Sequence, residues 1–147
     1  MDRGQHHGLD LFRHFCSSLL IMVQQVTQGI KVSVQTRYED RYHDHYGSRY
    51  AFSYTITIEN LSGKVVQLMR RKWYIKDALN VLEIVEGEGV IGQQPILEPG
   101  GRHSYKSGCL LVSPVGSMRG YYEMKSDTDN FKVGIPLFKL SAPFAMN

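Results

Sequence analysis

Three glycines have the spacing in this sequence that most resembles a chemical motif. Gly87, Gly89 and Gly92 form the pattern G-x-G-x-x-G, which in dinucleotide-binding folds follows a strand and opens a helix whose N-terminus binds pyrophosphate. An apolar, strand-like run precedes the pattern, but Pro95 and Pro99 follow it and would break a helix. The pattern therefore favours tight turns between strands. The alternative is an anion site formed by consecutive backbone N–H groups of the turn.

Pairs of histidines and aspartates are the next candidates for chemistry. His43 and His45 have a spacing compatible with a metal ion, but no further His or Cys is near in sequence, so we expect an exposed loop and no metal site. Asp127 and Asp129 lie in a polar turn, where carboxylates usually cap backbone N–H groups rather than perform acid–base catalysis. Neither pair predicts a catalytic centre.

The two cysteines, Cys16 and Cys109, lie beside apolar residues and lack the spacing of a metal site or a disulfide framework. His103 precedes Cys109 by six residues, which on one regular strand is about 20 Å and excludes a catalytic dyad. Free thiols fit a reducing intracellular compartment, either the cytoplasm or, after removal of a transit peptide, the mitochondrion. Because no catalytic set emerges, we expect a protein that is not an enzyme and has no cofactor.

Size and charge narrow the class of protein further. The chain has 147 residues, 42% of them apolar and 21% charged, which fits one folded domain. The net charge is +3, and the basic cluster at residues 70–72 is too short to track a phosphate backbone. Direct nucleic-acid binding is therefore not favoured. The apolar run at residues 19–23 is too short to cross a membrane.

Residues 1–28 are assigned to an N-terminal extension that contains an amphipathic helix at 9–26. Its apolar side chains recur every three or four residues, which is a helical period, and they are Leu9, Phe12, Phe15, Leu19, Met22 and Val26. Such a stripe packs either on its own domain or on a partner. Because a closed sandwich already has a core, we predict that these six residues contact another chain.

From Gly29 onward the hydrophobic period changes to two. The clearest strand covers residues 50–60, where five large apolar side chains share one face. Similar short runs are separated by turn residues, so the sequence predicts an all-β antiparallel sandwich of seven or eight strands at residues 29–147. We expect a bulge between Leu68 and Trp73, a bulge or an edge at Pro136, and a charged, exposed loop at 39–49.

A series of motifs runs in a fixed order along residues 29–147. They are Tyr54-Thr-Ile-Thr-Ile-Glu-Asn60, Gln67-Leu68, Arg71-Lys-Trp73-Tyr-Ile75, Asp77-Ala78, Gly87-x-Gly89-Val-Ile-Gly92-x-Gln-Pro95, Leu97-x-Pro99-Gly100, Tyr105-x-Ser-Gly108, Gly120-x-Tyr122-x-Met124 and Phe131-x-Val133-x-Ile135-Pro136-x-Phe138-x-Leu140. In this order they resemble the ApaG domain family. The resemblance implies an immunoglobulin- or fibronectin type III-like sandwich without established enzyme activity. It also implies a protein-interaction role, because the domain occurs as small bacterial proteins and as a module of an F-box protein and of a DNA polymerase delta-interacting protein.

The function that these observations favour is a non-enzymatic module that binds protein partners. It would act alone, as a homo-oligomer, or as a subunit of a larger assembly such as an organellar ribonucleoprotein. The alternative is binding of pyrophosphate or a nucleotide phosphate at Gly87, Gly89 and Gly92.

Overall fold

The computed structural model describes residues 22–78 and 80–146, and these fold into strands with one short 3-10 helix. The elements are β1 (Met22–Thr27), β2 (Ile30–Asp44), β3 (Gly47–Asn60), β4 (Val66–Asp77), β5 (Glu83–Glu88), β6 (Ile96–Leu97), β7 (Arg102–Leu111), β8 (Val115–Lys125), β9 (Asn130–Ser141) and η1 (Pro143–Met146). In this part of the chain no helix is long and apolar enough to cross a membrane.

The strands form two antiparallel sheets. The first sheet has the order β1-β2-β3-β7, and the second has the order β5-β4-β8-β9, with β6 beside β4. Side chains from the inner faces of both sheets form one apolar core. The predicted all-β antiparallel sandwich is therefore confirmed, with nine strands in the described residues rather than seven or eight.

The core is built by strict alternation along the strands. On β3, the predicted inward face is buried from Tyr50 to Ile58. From the first sheet Tyr54 packs against Trp73 of the second at 5.5 Å between ring centroids, and Trp73 meets Phe138 edge-on at 5.8 Å. Such aromatic contacts join the two sheets and fix how their strands face each other.

The predicted helix at 9–26 is wrong where the structure describes it, because residues 22–27 form strand β1. A two-residue turn, with Gln28 at φ 49° and Gly29 at φ 79°, pairs β1 with β2, and positive φ at both positions is typical of a tight hairpin. Met22 and Val26 lie exposed on the outer face of the first sheet. The other predicted stripe residues, Leu9, Phe12, Phe15 and Leu19, lie outside the described residues.

The charged segment at 39–49 is a β-hairpin arm rather than the predicted loop. Strand β2 continues to Asp44 and β3 begins at Gly47, so their paired ends extend the first sheet. The side chains of this arm are mostly exposed, as expected. A bulge after Tyr38 shifts the pairing register of β2 against β3, and the two strands remain paired beyond it. The arm ends in a turn at Gly47, where φ is 118°.

Both predicted irregularities are confirmed. The register of β4 against β8 shifts between Leu68 and Arg70. The register of β8 against β9 shifts around Pro136, on a strand that forms an edge of the second sheet. A proline fits there because it has no N–H to donate to a ladder.

Candidate functional site

The glycine-rich loop after β5 closes on itself. Gly89 and Gly92 have φ values of 59° and 72°, as expected for turn glycines. The Gly89 N–H donates to the Met69 carbonyl at 2.8 Å, and the Val90 N–H donates to the Gln93 carbonyl at 2.8 Å. These two N–H groups are thus occupied within the protein, so a loop-bound anion would need other donors.

Gly87 has a different role, because it lies in β5 opposite Arg71 of β4. A Cβ atom at this position would be 2.7 Å from the Arg71 Nη1 atom, so the guanidinium lies across the bare Cα of the glycine. From there Nη1 donates to the carbonyls of Glu88 at 3.0 Å and Gly89 at 2.8 Å. The first two glycines of the pattern therefore position an arginine side chain, a role that their spacing did not reveal.

Arg71 lines a cavity of about 220 Å³ between the two sheets, which we call the arginine pocket. It lies where β7 forms the edge of the first sheet. Its lining residues are Tyr54, Arg71, Trp73, Glu88, Val90, Ile91, Gly92, Tyr105 and Ser107. The pocket thus combines one guanidinium and several hydroxyl groups with an apolar wall.

The tyrosines near this pocket remain protonated at neutral pH. Burial raises the pKa of Tyr54 and of Tyr105 above the ordinary value of a phenol. The hydroxyl of Tyr105 is hydrogen-bonded to the hydroxyl of Tyr122. Tyr122 is fully buried, and this burial raises its pKa as well. Protonated phenols can donate hydrogen bonds to an acceptor in the pocket.

The remaining candidates for chemistry lie apart from one another. Cys109 is a half-buried free thiol, and burial raises its pKa to about 11. His103 lies on the same strand, β7. The hydroxyl of Ser48 is 3.1 Å from Nδ1 of His43 on the hairpin arm. Ser126 caps the polar turn, because its hydroxyl accepts the Asp129 N–H at 3.1 Å. The Asp129 carboxylate accepts from the Thr128 hydroxyl at 3.3 Å instead of capping a backbone N–H. In the described ranges, no three His, Cys, Asp or Glu side chains are grouped so that they could hold a metal ion.

A second candidate region is the outer face of the second sheet. Ile84, Tyr74 and Arg119 lie side by side on β5, β4 and β8. The Arg119 guanidinium carbon is 4.5 Å from the Tyr74 ring centroid. Stacking on the ring positions this guanidinium without neutralising its charge.

Around this row lies a surface groove of about 600 Å³, which we call the outer groove. It is lined by Tyr74, Lys76, Asn80, Val81, Leu82, Ser117, Arg119 and Leu137. Its apolar residues are well exposed, with Val81 at 88% and Leu137 at 53%. Exposed apolar groups that are contiguous and rimmed by polar ones mark interaction sites more often than scattered ones do.

Cations dominate the charge of this face. Arg70 is paired with Glu88 at 2.6 Å, and Lys72 is paired with Glu86 at 2.9 Å. The hydrogen bond to Glu86 raises the pKa of Lys72, and Lys72 in turn lowers the pKa of Glu86. The cations of this face that form no ion pair with another described residue are Lys76, Arg119, Lys125, Lys132 and Lys139.

Sequence reasoning did not identify the outer groove. Arg119 and Leu137 come from separate strands, and only the pairing of β4, β8 and β9 brings them together. A weak signal was present, because the buried alternation resumes on the opposite parity after Pro136, with Phe138 and Leu140, which leaves Leu137 out of phase with them. Of the residues predicted to bind a partner, the structure places Met22 and Val26 on the opposite sheet.

Comparison with known proteins gives consistent matches. A profile of the ApaG domain matches residues 40–126. The chain is 43% identical over 122 residues to "Protein ApaG" of Acidithiobacillus ferrooxidans, covering 82% of this chain and 96% of that protein. It is similar in structure to a putative ApaA protein from Bordetella pertussis, with a TM-score of 0.72, 39% identity, and coverage of 78% of this chain and 94% of that one. An X-ray structure from the Northeast Structural Genomics Consortium gives a TM-score of 0.75 at 38% identity, with 78% and 88% of the two chains covered.

Proposed function

The chain belongs to the ApaG domain family, and we propose that it is a non-enzymatic module that binds a protein partner through the outer groove. The observation that carries this proposal is the combination, on one sheet face, of exposed apolar side chains with cations that no described carboxylate neutralises. The partner segment that fits this face is acidic and carries an apolar side chain that enters the groove.

The apolar part of the groove supports binding of moderate strength. Four exposed side chains contribute: Val81, Leu82 and Leu137 line the groove, and Ile84 lies beside it, next to Tyr74. Covering their exposed fractions is worth roughly 4–7 kcal/mol gross, because full burial of one such side chain contributes about 1.5–3 kcal/mol. Ordering costs offset much of this gain, so the contact is expected to be transient unless charge pairs add to it.

The cations decide which partner is favoured. In a symmetric dimer formed through this face, the same cations of two copies would approach each other, which disfavours a second copy as occupant. An acidic segment would instead pair with Lys76, Arg119 and Lys139, which surround the apolar centre. Nucleic acid could match the charge but not the apolar groove, so a protein is the better occupant.

The compartment proposed for this interaction is a reducing one. Cys109 is free and half-buried, as is usual for thiols of intracellular proteins. Membership of a larger assembly, including an organellar ribonucleoprotein, stays part of the proposal. Size-exclusion elution of the native protein from cell extract as a small species would count against a stable assembly.

The test compares matched charge-introducing variants. Leu137→Asp places a carboxylate in the groove, and Leu110→Asp places one on the outer face of the first sheet, where Leu110 is similarly exposed at 60% against 53% for Leu137. Arg119→Glu is paired with Arg37→Glu, which alters an exposed arginine of the first sheet. Each tagged protein is used to purify associated proteins from its native cell, with and without nuclease.

We expect one or more proteins to be recovered with the wild type and with both first-sheet variants, and to be lost with Leu137→Asp and Arg119→Glu. Equal recovery with all variants would contradict docking at the outer groove. Loss of all associated proteins after nuclease treatment would indicate RNA as the occupant. Turnover of a small molecule by a protein that recovers no partner would contradict a non-enzymatic role.

A further inference from the structure

We propose that the arginine pocket binds the carboxylate group of a small organic acid. This site lies between the sheets and is separate from the outer groove, so it goes beyond the proposed protein docking. It also differs from an anion site made by the glycine-rich backbone, because the donors are side chains. The cavity of about 220 Å³ is smaller than a typical pocket for a drug-sized ligand.

Arg71 supplies the charged donor. Its Nη1 atom is held by the carbonyls of Glu88 and Gly89 at 3.0 and 2.8 Å, so the orientation of the guanidinium is fixed before a ligand arrives. Its Nε and Nη2 atoms form no hydrogen bond with another residue in the described part of the chain. These two atoms lie on one edge of the guanidinium plane, and that edge matches a planar carboxylate bidentately.

Hydroxyl groups supply further donors. Tyr54, Tyr105 and Ser107 line the pocket beside Arg71. The fully buried Tyr122 hydroxyl is hydrogen-bonded to the Tyr105 hydroxyl. Because a buried O–H group without an acceptor is costly, the Tyr122 hydroxyl donates its hydrogen to the Tyr105 oxygen. The Tyr105 hydrogen is then directed elsewhere and can be donated to a ligand.

The surroundings favour a singly charged organic acid over a phosphate. Of the described residues that line the pocket, Arg71 is the one cation. Its single positive charge balances a monoanion rather than a dianion, and the Glu88 carboxylate is already paired with Arg70 at 2.6 Å. Trp73, Val90 and Ile91 form an apolar wall on which a short alkyl chain or ring can lie. A carboxylate on a small apolar body satisfies both features.

Calorimetric and NMR titration of the whole protein with sodium butyrate tests this site, with sodium chloride keeping the ionic strength constant. Sodium phosphate is titrated in parallel. The variants are Arg71→Lys, which keeps the charge but loses the fork, and Ser107→Ala, which leaves the arginine in place. Arg37→Lys is the matched control, because Arg37 is an exposed arginine of β2 that lines neither the arginine pocket nor the outer groove.

We expect saturable butyrate binding to the wild type and to Arg37→Lys, with amide shifts at residues 88–92 and 105–107. Affinity should fall at least tenfold in Arg71→Lys and at least threefold in Ser107→Ala. Circular dichroism checks that each variant is folded, and if Arg71→Lys is not, Ser107→Ala decides. No saturable butyrate binding, equal affinity in wild type and Ser107→Ala, or binding of phosphate without butyrate would each overturn the proposal.

Discussion

Replacing each turn glycine of the G-x-G-x-x-G pattern by alanine should give two different results. Gly89 and Gly92 both have positive φ, 59° and 72°, so either alanine carries a cost of about 1 kcal/mol for placing a Cβ in the left-handed region. Their surroundings differ. A Cβ at Gly89 would lie 2.1 Å from the Gln93 carbonyl oxygen, whereas a Cβ at Gly92 would meet no atom within 4 Å.

Gly89→Ala must therefore also move the loop. The Gln93 carbonyl accepts from Val90, and the Gly89 N–H donates to Met69, both at 2.8 Å. Losing these two hydrogen bonds costs about 1 kcal/mol each, so we expect a total destabilisation of roughly 3 kcal/mol for Gly89→Ala against about 1 kcal/mol for Gly92→Ala. In urea, 3 kcal/mol moves the unfolding midpoint by about 1–3 M.

Equilibrium urea denaturation of the wild type and both variants measures this difference, with fluorescence of the buried Trp73 as the probe. Similar midpoints for the two variants would refute the idea that the loop is closed by its own hydrogen bonds. The comparison also shows why loss of ligand binding in Gly89→Ala alone would be uninformative about an anion site. For the arginine pocket, Ser107→Ala leaves these hydrogen bonds in place, whereas Arg71→Lys also removes the bonds from Arg71 to the Glu88 and Gly89 carbonyls.

Three further predictions concern buried polar groups. Asn60→Ala removes side-chain bonds to the carbonyls of Lys64 at 2.7 Å and Leu97 at 3.0 Å, and it should cost about 3 kcal/mol in urea denaturation because these carbonyls, and the N–H and hydroxyl of Ser62 that donate to the Asn60 amide oxygen, lose their partner. Asp77→Asn places an amide where a carboxylate accepts the Val112 N–H at 2.7 Å, and it should lower the free energy of unfolding by about 2 kcal/mol, read from the thermal midpoint. Burial raises the pKa of Cys109 from 9.0 to about 11, so the folded state prefers the neutral thiol. The contribution of Cys109 to stability should be constant below pH 9 and fall as the pH rises towards 11. At pH 8 iodoacetamide should label Cys109 about a hundredfold more slowly in the folded than in the unfolded protein, measured by peptide mass spectrometry; equal rates would contradict its burial.

The sandwich could be predicted because its strands alternate over long runs. From Tyr50 to Ile58, a register slip of one residue would expose every large apolar side chain of β3, so the pattern leaves one solution. The bulge after Leu68 and the irregularity at Pro136 were predictable for the same reason, since a change of phase or a missing N–H must be accommodated locally.

The spacing of the apolar residues in β1 did not distinguish a strand from a helix. Met22 and Val26 are four residues apart, and a separation of four places two side chains on the same face of a helix and also on the same face of a strand. The outcome depended on pairing with β2, which the turn at Gln28 and Gly29 makes possible. The change of period at Gly29 therefore marks a hairpin turn between two strands and not the end of a helix.

The candidate sites depend on contacts between distant segments, which a local pattern does not contain. Gly87 carries the Arg71 guanidinium only because β5 pairs with β4 in that register. Similarly, Leu137 and Arg119 meet in the outer groove through two strand pairings. The sequence predicted tight turns at Gly89 and Gly92, but not that the N–H groups of Gly89 and Val90 would be hydrogen-bonded within the protein.

Hydroxyl-radical footprinting of the protein alone and with its co-purified partner tests the docking surface most directly, because it measures side-chain exposure. We predict that oxidation of Leu82, Ile84 and Leu137, which are 45%, 54% and 53% exposed in the free protein, decreases in the complex. Oxidation of Leu110 on the first sheet should not change. Protection of Leu110 with unchanged oxidation of Leu137 would contradict docking at the outer groove and place the partner on the opposite sheet.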